Sequence, residues 1–523
     1  MNMSAVVGID LGTTNSVISC VKRGKVETIL LDGKNTFPSV VSISNGKIIT
    51  GYPAKAKLIM DPSNTVGSTK RDMGKDITYI IGKQKMTPQD IACEILKAIK
   101  EKAEFTLGEE ITQAVITTPA YFTSEQRKAT KNAARKAGFN VLRLMAEPSA
   151  AAVSYGINQN KDQIIMVYDL GGGTFDVSIM KIRGNKFEAI AIDGDFRLGG
   201  DDFDEKICSV LYKRIKEDTK IDIEVGKERE HMAARQKIKE AAENAKIELS
   251  SKENTSVIIP NILRDYHLDF ELTRDEYYNL IKPLIDKTIE KVKSVLKDAN
   301  MTPEDIDRLI LVGGATKTPI IKEILKKEIR DPFTAPNVDE VVSNGAAILA
   351  LSLSNSIASE ESSTITDIFK EEFVLDEKVN FSYGVALLNS QNVLEFCPVV
   401  HKNTLLPCQA GLIAYTVDEY QKVVTFRVFR GEHKELEKDE EIGQLKISIT
   451  RPEKEEVAVG AIFEMDDDNI IHFTGVELME NSYTMPIIHS AYENDGQLDL
   501  NLVEELIRSE KIKSEKIDIK AKS

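Results

Sequence analysis

Two carboxylates flank three glycines in IMVYDLGGGTFDVS, residues 165–178. Asp169 precedes the glycines and Asp176 follows Thr174. Glycine lets backbone N–H groups approach an anion with no Cβ in the way. A carboxylate on either side could hold Mg²⁺, largely through water. By itself a glycine-rich turn is more often simply a turn. Here, though, the set occurs twice. In AVVGIDLGTTNS (5–16), Asp10 takes the place of Asp169, and Gly12-Thr13-Thr14, followed by Asn15, takes the place of Gly171-Gly172-Gly173-Thr174. Two half-domains facing each other across a nucleotide explain such a degenerate repeat. A third turn, LILVGGATKTP (309–319), ends a strand in Gly313-Gly314 ahead of an expected helix and suits the approach of adenosine or its phosphate.

Other candidates carry a plainer reading beside the chemical one. Lys70 and Arg71 sit in the polar loop NTVGSTKRDMGKD (64–76), and a basic pair there reads from spacing alone as solvated surface. Glu147, before Pro148, falls at the carboxyl end of an expected strand, where ligands bind in open α/β sheets, and equally suits a helix dipole. Glu243, Lys246 and Ser250, three and four residues apart, share one helix face that is either solvated or in contact with a nucleoside.

These residues need elements to position them. The apolar run 164–168 stops at the glycines and resumes as FDVS, the pattern of a buried strand turning into the next. Short strands are expected over 5–43, a helix over 87–107 starting at Thr87 or Asp90, and a strand over 114–118 ending at Pro119. A helix over 124–137 follows, then strand, turn and helix over 142–156. Gly199-Gly200 leads into another helix, and 227–251 is a long charged one. The segment 355–378, rich in serine and acid at its start, reads as a linker. Strands at short intervals over 379–485 suggest a β-sandwich, and 486–523 holds a short helix and a charged tail.

A 523-residue chain is too long for one core. Its net charge of −15 argues against nucleic acid and anionic membranes as partners. Five scattered cysteines indicate neither a disulfide framework nor a zinc site, so a reduced cytoplasmic compartment is expected. The N-terminus runs straight into a strand, and no apolar stretch is long enough to span a membrane.

Taken together, GIDLGTTNS (8–16), TTPAYFTSEQRKAT (117–130), AEPSAAAVSYG (146–156), YDLGGGTFDVS (168–178), LGGDDFD (198–204) and LVGGATKTP (311–319) resemble, in order, the motif set of the DnaK-type heat-shock chaperone family. LEFCPVVHKNTLLP (394–407) and VFRGEHKELEKDEEIGQLKI (428–447) are similar to its peptide-binding sandwich. The resemblance implies a two-lobed, actin-like α/β ATPase domain (1–354), then a linker, a β-sandwich peptide-binding domain and a short helical tail. It implies that Asp10, Gly12, Thr13, Thr14 and Asn15 hold phosphates and magnesium-bound water from one lobe, and Gly171, Gly172, Gly173 and Thr174 from the other. Gly199 and Gly200 are counted with the nucleotide-binding turns. Lys70 then stabilises charge on the γ-phosphoryl group, reversing its surface reading, while Glu147, Asp169 and Asp176 orient metal or attacking water. Glu243, Lys246, Ser250, Gly313, Gly314, Lys317 and Asp339 match positions that contact adenosine, with lysine at 317 where arginine is common. ATP/ADP, Mg²⁺ and a neighbouring K⁺ are the implied cofactors.

Pro119 and Arg127 match residues that relay nucleotide state, Arg143 matches one near the contact for a J-domain co-chaperone, and Leu375-Asp376 ends a reduced version of the family's aliphatic linker. A nucleotide-exchange factor is the other implied partner, and the chain is expected to act as a monomer. The physically reasonable ligand of the sandwich is an extended apolar polypeptide held by backbone hydrogen bonds. Leu388, Val417 and Val424 are the candidates for its side-chain pocket, unless they are plain core. Departures from the family are Ala146 where asparagine is common, Arg197 in place of a histidine, and a C-terminal segment shorter than the family's helical lid, from which faster peptide release is expected. An ATP-hydrolysing chaperone is the leading reading, with a nucleotide-bound scaffold assisting another chaperone as its alternative. A small-molecule kinase leaves the sandwich without a purpose. A Walker-type site is disfavoured because GKIITGY (46–52) lacks the required lysine and hydroxyl.

Overall fold

The computed structural model describes residues 5–156, 162–226, 228–335, 337–354, 373–389, 391, 393–450, 452–454, 457–478 and 487–490. The serine- and acid-rich part of the expected linker (355–372) and the expected C-terminal helix and tail from 491 onward lie outside the described residues. Contacts divide the chain into two units, Met1–Asp376 and Glu377–Ser523.

The first unit contains two sheets of matching design. In one, the strand Ala5–Asp10 runs parallel to Ile111–Thr118, which is itself parallel to Asn140–Ala146, and pairs antiparallel with Asn15–Lys22. In the other, Gln163–Leu170 runs parallel to Arg308–Val312 and antiparallel to Phe175–Arg183, which pairs in turn with Lys186–Asp195. The first central strand ends at its aspartate and the second one residue past it, and each turns through the glycine-bearing segment into a hairpin. The sequence repeat is thus a structural one.

Local chemistry explains the flanking helices. The helix Pro88–Leu107 opens on a capping box in which Thr87 and Asp90, read as alternative starts, each bond the other's backbone N–H. Such caps contribute about 1 kcal/mol. Ile91, Ile95, Leu96 and Ile99, spaced three and four apart, bury one face of it in the first lobe's core. Glu147–Gly156 follows the strand Asn140–Ala146 directly, with no intervening turn. The helix Val341–Leu353 packs so closely on the first lobe's central strand and on the helix Glu147–Gly156 that a Cβ on Gly8 would lie 2.0 Å from Ala347 N, and one on Gly345 would lie 1.8 Å from Ala150 O. These contacts fix the Asp10 strand and the Glu147 helix against one another.

The first unit runs beyond 354. Val374–Asp376, grouped with the linker on sequence, forms an edge strand parallel to Lys186–Asp195. Leu375 is buried in the same cluster as Phe187, and Asp376 pairs with Lys186 at 3.2 Å. Apolar β-branched chemistry at a free sheet edge accounts for it.

The second unit is a sandwich of two four-stranded antiparallel sheets. Their strand orders are Leu394–Val400, Tyr383–Leu388, Val423–Arg430, Glu440–Ser448 in one, and Cys408–Tyr415, Ala458–Met465, Ile471–Leu478, Ile487–Ser490 in the other. Alternation along VVTFRVFR turns Val424, Phe426 and Val428 inward, against Leu445, Ile447, Val459 and Phe463. The last strand lies past the boundary drawn at 485. It was missed because a four-residue edge strand carries too little pattern to signal itself.

Candidate functional site

The two glycine-bearing turns face each other at close range. A Cβ on Gly172 would lie 2.2 Å from Thr14 Oγ1, and one on Gly173 would lie 2.6 and 2.7 Å from Thr13 Oγ1 and Cγ2. Gly199 is backed against the second turn, where its Cβ would fall 2.6 Å from the Gly172 carbonyl carbon. Between the turns opens a cleft of about 580 Å³, a volume suited to a small-molecule ligand. Its wall includes Asp10, Gly12, Thr13, Thr14, Asn15, Lys70, Glu147, Asp169, Gly171, Gly172 and Thr174. Gly200, Glu243, Lys246, Ser250, Gly313, Gly314, Lys317 and Asp339, also named from sequence, line it too. Gly173, Gly199 and Asp176 stand just behind the wall.

At one end of the cleft, the hairpin register sets Asp169 directly opposite Asp176, so both carboxylates project from the same side of the pair. Thr117 Oγ1 donates to Asp10 Oδ1 at 3.3 Å, and the Tyr121 N–H donates to Asp176 Oδ1 at 3.0 Å. Lys70 Nζ meets Glu147 Oε1 at 2.6 Å, with both side chains buried. Crowding of charge in a dry site shows in the acidities. Burial, reinforced by Glu147 and opposed by Lys70, pushes the Asp10 carboxyl up to about 7. Burial and then Glu147 push Asp176 up to about 8. Asp169 also lies well above the carboxylate range, through burial and its three acidic neighbours. Burial works against the Lys70 ammonium, but Glu147 and Asp10 outweigh it and hold the lysine more basic than usual.

The site calls for a ligand that carries both metal and acceptor groups. Thr14 Oγ1 on the wall and Asp176 Oδ2 behind it are buried without a hydrogen-bond partner, a costly arrangement unless something else satisfies them. Among the described residues, no three His, Cys, Asp or Glu side chains converge on one metal position. The carboxylates therefore suit a hydrated Mg²⁺ shared with phosphate better than a protein-only cage.

At the other end, Lys246 Nζ bonds Asp204 at 2.8 Å and the Gly200 carbonyl at 3.3 Å, and Ser250 Oγ donates to the Lys246 carbonyl at 3.2 Å. Glu243 pairs with Lys55 of the helix Gly51–Met60 at 3.8 Å. Lys317 pairs with Asp339 at 2.8 Å. Gly313 has φ +83°, and a Cβ there would strike Leu170 O at 2.4 Å, so the third turn needs glycine on both counts. The wall also holds Thr36, Asp201, Asp204, Ile247, Val338 and Val342, which sequence reasoning passed over. Only the two aspartates had a signal, since they lie inside LGGDDFD.

Of the relay candidates, Arg127 is buried and donates to the carbonyls of Pro119, Ala120 and Phe122 at 3.3, 3.1 and 3.4 Å. It thereby shapes the loop whose Tyr121 amide holds Asp176. Arg143 lies half-buried on the edge strand of the first sheet, beside Val115. Leu375 and Asp376 lie on the edge of the second sheet. In the sandwich, Val424 and Leu388 are buried at 1% and 3% exposure, and Val424 belongs to the main core cluster. Val417 is half-buried in the loop after Cys408–Tyr415.

Two related lobes facing each other across a shared cleft, followed by a β-sandwich, define a class: actin-like ATPase domains that carry an all-β module. A model of the family described as Hsp70 protein matches residues 6–81 and 77–523. The chain is 38% identical over 531 aligned residues to the "Chaperone protein DnaK" of Thermosipho africanus (strain TCF52B), spanning 99% of this chain and 86% of that protein. It is 37% identical, with the same coverage, to the protein of that name from Thermosipho melanesiensis. The chain belongs to the Hsp70 family. Among the described residues, no helix is long and apolar enough to cross a membrane.

Proposed function

We propose that this protein is a cytoplasmic ATP-dependent chaperone that binds Mg-ATP in the cleft, hydrolyses it to ADP and phosphate, and uses the sandwich to hold extended apolar polypeptide. The observation that carries the reading is the facing of the two turns, whose glycines make room for the threonines of the opposite lobe. Magnesium, with potassium beside it, would neutralise phosphate charge. Asp10 and Asp169 suit its hydration shell, and Asp176 and Glu147 suit the attacking water. Thr13, Thr14, Asn15 and the backbone of Gly171–Thr174 offer donors to the phosphates, and the Lys70 ammonium faces the charge that develops in transfer to water. The adenosine falls to Glu243, Lys246, Ser250 and the Gly313-Gly314 turn. Membership of the Hsp70 family supports co-chaperone partners in general, and a J-domain protein and a nucleotide-exchange factor are the ones proposed here.

Single-turnover hydrolysis of Mg-ATP tests this reading. Lys70→Ala is expected to lower the rate constant about 100-fold or more while Mg-ATP still binds. Hydrolysis unchanged by that substitution removes the catalytic assignment. A wild-type chain that binds Mg-ATP without turnover leaves the scaffold alternative. Release of a labelled leucine-rich peptide, read by fluorescence anisotropy, is expected to accelerate with ATP, and no peptide binding at all would end the chaperone reading.

A further inference from the structure

The short 3-10 turn Thr69–Asp72 sends three consecutive side chains in three directions. Lys70 reaches Glu147 at 2.6 Å, and Asp72 stays in its own lobe, accepting from Lys75 Nζ at 2.5 Å and Tyr79 Oη at 2.6 Å. Arg71, between them, crosses to the second lobe. Its Nε donates to the Gly173 carbonyl at 2.7 Å, and its two terminal nitrogens fork onto the Asp202 carboxylate, Nη1 at 3.2 Å and Nη2 closer still. Asp202 is itself fixed, because it accepts the Gly199 N–H at 2.8 Å at the start of the helix Gly200–Thr219. One guanidinium thus spans both glycine segments of the second lobe while joined through a single peptide to Lys70.

We propose that Arg71 is a positioning residue that seats Lys70 only when the second turn has closed on the first lobe. The proposal rests on the reading that this cleft hydrolyses ATP. Two physical effects support it. A planar fork that bonds a carboxylate and a carbonyl together tolerates little displacement, so lobe separation breaks the contact and frees the Lys70 turn. In a trans peptide the C=O and N–H point opposite ways, so holding the Gly173 carbonyl also fixes the orientation of the Thr174 N–H, on a residue of the cleft wall.

The experiment is single-turnover Mg-ATP hydrolysis by the full chain, with nucleotide release measured in parallel. Wild type, Arg71→Ala, Arg71→Lys and Asp202→Asn are compared, each with Lys70 present and with Lys70→Ala. Arg71→Ala is expected to slow hydrolysis about tenfold or more, and Arg71→Lys to recover little of it, because an ammonium cannot fork to both acceptors. In the Lys70→Ala background the Arg71 substitution is expected to add less than about twofold, since residues acting as a unit are not additive. A merely structural role would instead multiply the loss in both backgrounds, and that result overturns the assignment. So does full rescue by lysine, or an Arg71→Ala protein that hydrolyses at the wild-type rate. If the wild type itself binds but never hydrolyses, both this assignment and the ATPase reading fall; hydrolysis indifferent to Arg71 removes this assignment alone.

Discussion

The two glycine-bearing turns share a strand, an aspartate and a hairpin, yet they are built differently. The first, Asp10 to Asn15, presents hydroxyl side chains; the second, Asp169 to Thr174, presents bare backbone. Each is shaped by the other. The volume that a Cβ would take on Gly173 is filled by Thr13, and that on Gly172 by Thr14. The fold holds two copies of one clasp, and a ligand shared between them would require one copy to give up side chains where the other keeps them. The glycines of the second turn therefore answer to the opposite lobe more than to their own φ angles.

The sharpest way to break this comparison is Gly173→Ala. A methyl there meets both branches of Thr13, so rotating the threonine cannot clear it. Overpacking of this kind costs about 1–3 kcal/mol, and Mg-ADP affinity measured by calorimetry is expected to fall up to about 100-fold. Thr13→Ala alone is expected to weaken binding by less than about tenfold, through loss of one hydroxyl. The double variant should bind better than Gly173→Ala by itself. If Gly173→Ala binds normally, or if removing Thr13 brings no recovery, the two turns do not face each other in solution.

The turns also share a proton load, and this predicts the next largest effect. Asp10 near 7 and Asp176 near 8 retain protons at neutral pH in protein without ligand, and burial shifts Asp169 in the same direction. A bound cation favours the ionised forms. Mg-nucleotide binding at pH 7 should therefore release about one to two protons, seen as a binding heat that depends on the buffer's ionisation enthalpy, with affinity rising as pH climbs from 6 to 8. Without ligand, Asp10 and Asp176 make the folded chain hold more protons at these sites than the unfolded one between the normal carboxylate value of 3.8 and about 8. Unfolding free energy accordingly falls as pH rises through that window, and the melting temperature at pH 8 should lie below that at pH 5 by more than it does with Mg-ADP present. A heat independent of buffer would mean that these acids are already ionised.

The sequence disclosed the parts of this arrangement that have a local signature and concealed those that do not. Both aspartate-glycine hairpins were legible because an apolar run, a carboxylate and glycines within a dozen residues dictate strand, turn and chemistry together. From spacing alone Lys70 read as solvated surface, and only the family resemblance reversed that, because nothing near it in sequence explains a buried ammonium. Its partner Glu147 lies 77 positions away, and the partners of Arg71 lie 102 and 131 away. Thr87 and Asp90 were read as rival helix starts, although a capping box uses both. Val374–Asp376 read as linker because a three-residue edge strand has no period. Val424 was left between pocket and core because inward alternation is common to both, and the structure puts it in the core cluster.

The smallest expected effect probes what one hydroxyl does behind the first turn. Thr117 Oγ1 is a hydrogen-bond donor to Asp10, and it is among the influences that lower that carboxyl's pKa against the much larger effect of burial. Removing it with Thr117→Val leaves the ionised form less favoured, so the pKa rises further. With Asp10 starting near 7, a rise of about half a unit roughly halves its ionised fraction at pH 7, and Mg-ADP affinity should fall about twofold there. Well above pH 8 the carboxyl is ionised in both proteins and the difference should vanish. That pH dependence separates a proton effect from a packing defect, which would weaken binding equally at every pH. If Thr117→Val binds less tightly by a constant factor from pH 6 to 9, Thr117 supports the strand rather than the charge of Asp10, and the first turn owes its acidity to burial and its ionic neighbours alone.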